Sequence, residues 1–452
     1  MNTTYHYRRV ALLFIAFIYL LNYFMQNTLL TVIYSLILIS IIIMTIPGMA
    51  KTNLTVSLCL FLAGSIILVV KEVPLLSWST ALAKNAGLVA LFVTVPLLGL
   101  PFFYENYQEE LKHLAAKYMK TLPAFCLLTA VAAHLLGVIM NLGAVPLVYE
   151  LFVGTARLYK AEKAFLAALL QGYVLSGLWS PAWSSMGIIT GTVTVTWAQI
   201  IPYGILFAAA CIGIIIIFIG VEIYRNPQRY SSMQFDPTVR IKWSSIIYII
   251  VLISSIILST LLVNMVTSWN LLVIIPLISL VFPVLAALIG RKLPAYIKGM
   301  YNYYNHKLIR IGNEVVLFTA AGFLGKALEL SGINQVIPRL LPAWVTSIPY
   351  LAILLLVVIM VVISMLGVHP VVTGTAFVSS INPLSMGLTP LAFAFAILTG
   401  WCTCTLLSPF SGASLVSAGL TGRASWNISL KINGMYGLFA VLFLSFLIAV
   451  FL

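Results

Sequence analysis

From Val10 to Leu452, apolar runs of about 20 residues follow one another, separated by short polar or charged stretches. A helix of that length spans the hydrocarbon core of a bilayer, and a chain built almost wholly of such runs has no room for a soluble core. The expected fold is an all-α polytopic membrane protein of about 11 transmembrane helices. Only 8% of residues are charged, against roughly 25% in soluble domains. Arg8 and Arg9 precede the first run, but no small-residue cleavage site follows it, so the first helix is expected to be retained.

Five cysteines all fall within apolar segments, and Cys402-Thr403-Cys404 has the wrong spacing for a zinc or redox motif. Buried thiols are expected, with no metal and no cofactor. The net charge of +14 could suggest nucleic acid, yet the cytoplasmic bias of Lys and Arg in membrane proteins produces such a balance unaided. No nucleic-acid partner is expected.

Polar, helix-breaking residues interrupt two of the runs. Leu406 to Ser414 carries Ser408-Pro409-Phe410-Ser411-Gly412, and a twin, Leu178 to Ser185 with Ser180-Pro181, lies 228 residues earlier. A break at membrane depth is tolerated only where it is buried in protein or lines a wet cavity. Paired breaks in corresponding halves point to a transport site.

Two further stretches are too long for one crossing and carry turn residues at their centres. Ala124 to Ala156 is interrupted at Gly137, Asn141-Leu142-Gly143 and Pro146, and Ile348 to Ile381 at Gly367-Val368-His369-Pro370. Reading both as re-entrant hairpins, with the N-terminus cytoplasmic and the C-terminus outside, leaves only Lys71, Lys84, Lys326 and Arg339 off the cytoplasmic side. His134 to Val138 aligns by letters with Ser364 to Val368. The two copies are therefore expected to form an inverted repeat.

This gives N-terminal scaffold helices at 1–84, then a span with an amphipathic cytoplasmic helix (Tyr104 to Leu122) at 85–122. A first transport repeat occupies 123–224 and linker and scaffold helices 225–312. A span with an external amphipathic segment (Asn334 to Trp344) fills 313–346, and a second repeat 347–452. No phosphate-binding loop of the GxxxxGK[ST] type is present, which argues against ATP-driven transport by this chain alone.

The order of span, surface helix, hairpin and broken helix, repeated upside down, resembles the divalent-anion/sodium symporters and arsenite permeases of the ion transporter superfamily. Leu317 to Ile333 is similar to the family's Gly-rich segment, and Leu406 to Gly422 to its broken helix. The hairpin tips depart from the family's Ser-Asn-Thr motif, since the first keeps only Asn141 and the second reads Val368-His369-Pro370. The resemblance implies an elevator mechanism, with hairpins and broken helices moving against a scaffold that dimerises.

Candidate substrate- or ion-binding residues are Ser180, Pro181, Ser184 and Ser185 at the first break and Ser408, Pro409, Ser411 and Ser414 at the second. Their hydroxyls, the freed carbonyls and the half-helix N-termini can coordinate an ion or an anionic group; the plainer reading is that they cap helices or pack interfaces. Asn141 and Gly143 at one hairpin tip, and His369, Thr373 and Thr375 near the other, are placed to face the breaks. His134 and Glu150, equidistant from Leu142, could relay a proton. Lys326 and Glu329 read as a neutralising i, i+3 pair.

The function expected from these features is secondary active transport of a small anionic solute across the cytoplasmic membrane, coupled to Na+ or H+, in a multi-pass homodimer embedded in the lipid bilayer. Replacing Ser180 and Ser408 should then abolish uptake without loss of folding. The alternatives are an exporter of a metalloid oxyanion or drug, and, from another class, a lipid-modifying membrane enzyme using His369, His134 and Glu150. The chain lacks an HExxH-type cluster, so it is expected not to be an enzyme.

Overall fold

The computed structural model describes residues 3–104, 121–225, 242–267, 269–332 and 347–452. Within them all regular structure is helical, and ten segments are long and apolar enough to cross a membrane. An eleventh is counted where Leu293–Lys307 and Gly312–Ser331, which meet at a bend of 68°, are taken together as one span. The all-α polytopic expectation is borne out. The amphipathic segments expected at Tyr104 to Leu122 and Asn334 to Trp344 lie, but for Tyr104, Thr121 and Leu122, outside the described residues.

The chain opens with α1 (Thr3–Met25), α2 (Thr28–Thr45) and α3 (Lys51–Val70). Asn27 starts α2 by accepting a hydrogen bond from the Leu29 amide, satisfying one of the donors a helix N-terminus leaves free. Next, α4 (Leu75–Leu82) leads through a short turn into α5 (Ala86–Leu98), which extends the apolar span expected from residue 85 back to Leu75.

The stretch after Thr121 is a hairpin of α6 (Leu122–Met140) and α7 (Ala144–Leu158). Asn141 closes α6 at φ 48°, a left-handed conformation that ends the helix. The Phe125 ring, at the start of α6, lies 5.5 Å from that of Tyr159, just past the end of α7. In an unbroken rod those residues would stand roughly 50 Å apart. The arms therefore fold back on each other.

A broken helix follows: α8 (Glu162–Leu175), an irregular stretch around Ser180, then α9 (Ser184–Thr192). The long α10 (Trp197–Arg225) completes the first unit. The linker contains α11 (Trp243–Val266), α12 (Leu271–Ile289), α13 (Leu293–Asn302) and α14 (Gly312–Ser331). The second unit repeats the order of the first, with α15 (Pro349–Met365) and α16 (Pro370–Ser380) as the hairpin, α17 (Pro390–Leu407) and α18 (Gly412–Thr421) as the broken helix, and α19 (Gly434–Phe451) as the last span.

Packing repeats as well. In each unit the broken helix's first half lies against the hairpin's first arm, α8 on α6 and α17 on α15, with the last span covering both. The units interlock through their short elements, α9 packing on α16 and α18 on α7. Outside them α14 runs along α3, and α12 along α5.

Small residues set the closest approaches, as is usual where helices meet in lipid. Gly172 and Gly400 hold matching positions in α8 and α17. A Cβ at Gly172 would fall 2.2 Å from the Ala130 carbonyl oxygen, and one at Gly400 2.5 Å from Met360 Sδ.

The pair expected at Lys326 and Glu329 is a triad. Glu329 accepts from Lys326 Nζ at 2.6 Å and from Lys84 Nζ at 3.0 Å, tying α14 to the turn between α4 and α5. All three side chains are partly exposed, so solvent screening reduces what the contacts contribute. Glu329→Gln is expected to lower stability by only about 1 kcal/mol, read by thermal denaturation in detergent; a loss several times larger would mean that the triad holds the scaffold together.

Candidate functional site

The two breaks are built alike, bond for bond. Ser180 and Ser408 each donate the last helical hydrogen bond from their own amides, to Ser176 O and Cys404 O, both at 2.9 Å. Each hydroxyl accepts from the amide two residues on, Ala182 or Phe410, at 3.2 Å. Each also donates into its hairpin, Ser180 to Val138 O at 2.6 Å and Ser408 to Ser364 O at 2.7 Å. A single hydroxyl thus closes the break and ties it to a hairpin.

These bonds fix how the halves correspond. Val138 matches Ser364, and Asn141, with φ 48°, matches Gly367, with φ 93°. The letter-based alignment of Gly137-Val138 with Gly367-Val368 is therefore displaced by one helical turn. The equivalent residues are those at which the first arm ends in a left-handed conformation.

A cavity of about 340 Å³ lies where the hairpin tips and the breaks converge. Of the residues expected at the site, Asn141, Ser184, His369, Ser408 and Ser411 line it. Gly143, Ser180, Pro181, Ser185, Thr373, Thr375, Pro409 and Ser414 are not among its lining residues. Ser180 is fully buried in its bonds to the hairpin. Thr373 donates to Pro370 O within its own helix. Ser185, Thr375 and Ser414 are buried, and their hydroxyls make no hydrogen bond among the described residues.

The first hairpin is held more firmly to its break than the second. Besides the Ser180 bond, Asn141 Nδ2 donates to Ala182 O and Trp183 Nε1 to Gly137 O, while Tyr173 Oη donates to Asn141 Oδ1. At the second hairpin the Ser408 bond is joined by a contact between the Ser364 hydroxyl and the Cys404 thiol. His369 there caps α16, its Nδ1 accepting from the Val371 amide, with the rings of Phe318 and Trp401 beside it at 5.4 and 5.9 Å. Because Nδ1 accepts, the neutral imidazole carries its proton on Nε2.

His134 is part of the brace, not of a relay with Glu150. Its Nδ1 lies 3.3 Å from Gly172 O and its Nε2 accepts from Trp179 Nε1 at 3.0 Å. A carbonyl only accepts and an indole only donates, so both ring nitrogens of the neutral imidazole are satisfied. Trp197 Nε1 extends the chain to Trp179 O at 2.8 Å. Glu150 is exposed on α7, and neither His134 nor Glu150 lines the cavity. The His134, His369 and Glu150 set invoked for a lipid-modifying enzyme is not assembled at this site.

The cavity also holds residues that sequence reasoning passed over. Glu314, in the first turn of α14, lines it together with Asn53, Asn313 and Phe318. Glu314 Oε2 is buried and makes no hydrogen bond among the described residues. Its mark in the letters is a carboxylate at the head of an apolar run, which an ordinary span boundary also shows. Phe92, Tyr173, Trp183, Phe318 and Trp401 supply aromatic wall, and the N-termini of α9 and α18 open onto the space through Ser184 and Gly412.

No protein-family model matches the chain, and no curated protein matches its sequence. Among solved structures it is similar to the YdaH transporter of Alcanivorax borkumensis, whose structure is described as having an unusual topology. The TM-score is 0.50 at 16% identity, over 87% of this chain and 98% of that one. At that identity the likeness is one of fold.

Proposed function

We propose that this chain is a secondary active transporter that carries a small solute across the membrane, with the hairpins and broken helices forming the moving unit. The observation that carries the reading is the convergence of two hairpin tips and two helix breaks on one cavity, the arrangement in which transporters of repeated architecture place their cargo. Its volume of about 340 Å³ suits a small molecule. Likeness in fold to a protein described as a transporter supports it further. The resemblance to divalent-anion symporters and arsenite permeases agrees in plan, and with it come the elevator movement, a dimer formed through the scaffold helices and residence in the cytoplasmic membrane.

The proposed cargo is an anion with an apolar body. The N-termini of α9 and α18, each carrying the positive end of a helix dipole, meet the anionic group together with the Ser411 region and His369. The aromatic wall takes the remainder. No Lys or Arg lines the cavity among the described residues, which disfavours a multiply charged anion such as a tricarboxylate.

The test is a thermal-shift screen of the purified protein against inorganic and aromatic anions, with labelled benzenesulfonate uptake into proteoliposomes alongside. Wild-type protein should be stabilised by about 3 kcal/mol at a hundredfold excess over Kd. Thr405→Trp, which puts an indole into the cavity from α17, should abolish both stabilisation and uptake. Ligand effects that survive this substitution would place binding elsewhere and sink the reading.

A further inference from the structure

We propose that Glu314 is the proton-binding group that couples solute movement to a proton gradient. The inference rests on the transporter reading and names the coupling ion at that same site.

Three observations carry it. Glu314 lies in the cavity wall formed by α14, which packs both on α3 of the scaffold and on α16 of the second hairpin. It therefore sits where a moving unit would slide past a fixed one. Its Oε2 is buried with no hydrogen bond among the described residues, although an ionised carboxylate away from water demands a partner. And among the described residues no cation lines the cavity to provide one: its other titratable lining residues are Tyr173, which donates to Asn141, and His369, whose Nδ1 already accepts from Val371.

Two lysines stand on the neighbouring elements, Lys51 between the cavity-lining Ala50 and Asn53 and Lys307 seven residues before Glu314, and neither lines the cavity among the described residues. Lys51 at the start of α3 is exposed, and Arg8 of α1 donates to Ile309 O. Lys326 and Lys84 hold Glu329, which is roughly 22 Å along α14 from Glu314. On α16 itself His369 is the titratable group.

An anionic cargo beside an ionised Glu314 meets like-charge repulsion in a poorly screened space. A proton taken from water onto Oε2 converts the carboxylate to the neutral acid, removes that repulsion and turns an acceptor into a donor. Anion and proton then load together, one proton per carboxylate. On the other side the acid returns its proton to water, and the restored carboxylate helps expel the anion.

The experiment uses the full chain in proteoliposomes with benzenesulfonate, a permanent anion that cannot itself carry a proton. Infrared difference spectra should show a protonated-carboxyl band that grows as pH falls and grows again when benzenesulfonate is added. The band should vanish in Glu314→Gln and return in Glu314→Asp. Accumulation driven by a pH gradient should be lost in Glu314→Gln and partly restored in Glu314→Asp. A spectrum unchanged by Glu314→Gln while uptake proceeds would overturn the proton site alone, as would accumulation that requires Na+ and ignores pH. Wild-type protein that binds and moves no aromatic anion at all would overturn the transporter reading and the coupling role with it.

Discussion

Gly172→Ala is expected to destabilise the protein by about 3 kcal/mol or more, whereas Gly400→Ala, at the matching position of the second unit, should cost under about 1.5 kcal/mol. Both glycines lie mid-helix, where alanine alone would gain roughly 1 kcal/mol of helix propensity. What separates them is the neighbour. A Cβ at Gly172 would come within 2.2 Å of the Ala130 carbonyl oxygen and 2.5 Å of its Cα, backbone atoms that can yield only if α6 moves away from α8. At Gly400 the nearest atom is Met360 Sδ, part of an unbranched side chain that can swing into another rotamer. Melting of the two variants in detergent decides the matter. Equal losses would mean that the hairpins pack on their broken helices with the same stiffness.

The difference bears on movement. Backbone contact at Gly172, the Trp197–Trp179–His134 chain and the Asn141 and Trp183 bonds fasten the first hairpin to its broken helix. The second hairpin meets its own across a methionine, with the Ser408 bond and a Ser364–Cys404 contact as its ties. Two units alike in plan thus differ in how tightly they are assembled.

The sequence displayed the plan more clearly than the bonds. Ser180-Pro181 and Ser408-Pro409 stand out because proline and a short polar residue inside an apolar run mark a place where a helix cannot continue. The long apolar stretches with central Asn, Gly and Pro announced hairpins for the same reason. Correspondence between the halves was harder to read. A left-handed residue closes the first arm in both units, but Asn serves in one and Gly in the other, so matching Gly137 to Gly367 follows the letter and misses the conformation.

Two further points could not be read along the chain. That Ser180 and Ser408 spend their hydroxyls on hairpin carbonyls depends on contacts more than 40 residues away in sequence. Glu314 reads as an ordinary polar residue at a span boundary until the hairpin tips close around it. Of the sites proposed from letters, Asn141, Ser184, His369, Ser408 and Ser411 reached the cavity, while Ser180, Pro181 and Pro409 at the same breaks did not. Ser185, Thr375 and Ser414, farther along their helices, are buried outside its lining.

Ser408→Ala and Ser180→Ala are expected to part company although the bonds they break are the same. Each removes a donor to a hairpin carbonyl and an acceptor for a break amide, and each should cost about 1–3 kcal/mol in stability because buried partners are left unsatisfied. Transport should separate them. With Ser180 gone, Asn141 and Trp183 still hold the first hairpin to its break, and Ser180 itself does not line the cavity. Benzenesulfonate uptake in Ser180→Ala should therefore fall no more than a few fold. Ser408 lines the cavity, and its bond to Ser364 O is a tie that sets where the second hairpin tip sits, so uptake in Ser408→Ala should drop by roughly tenfold or more, as expected when a positioning contact worth above about 1.4 kcal/mol is lost. Ser408→Thr, which keeps the hydroxyl, should recover part of it. Parallel melting curves and initial uptake rates give both halves of the comparison, and a Ser180 variant more impaired in transport than its Ser408 counterpart would show that the firmly braced unit, not the loosely tied one, governs access to the solute.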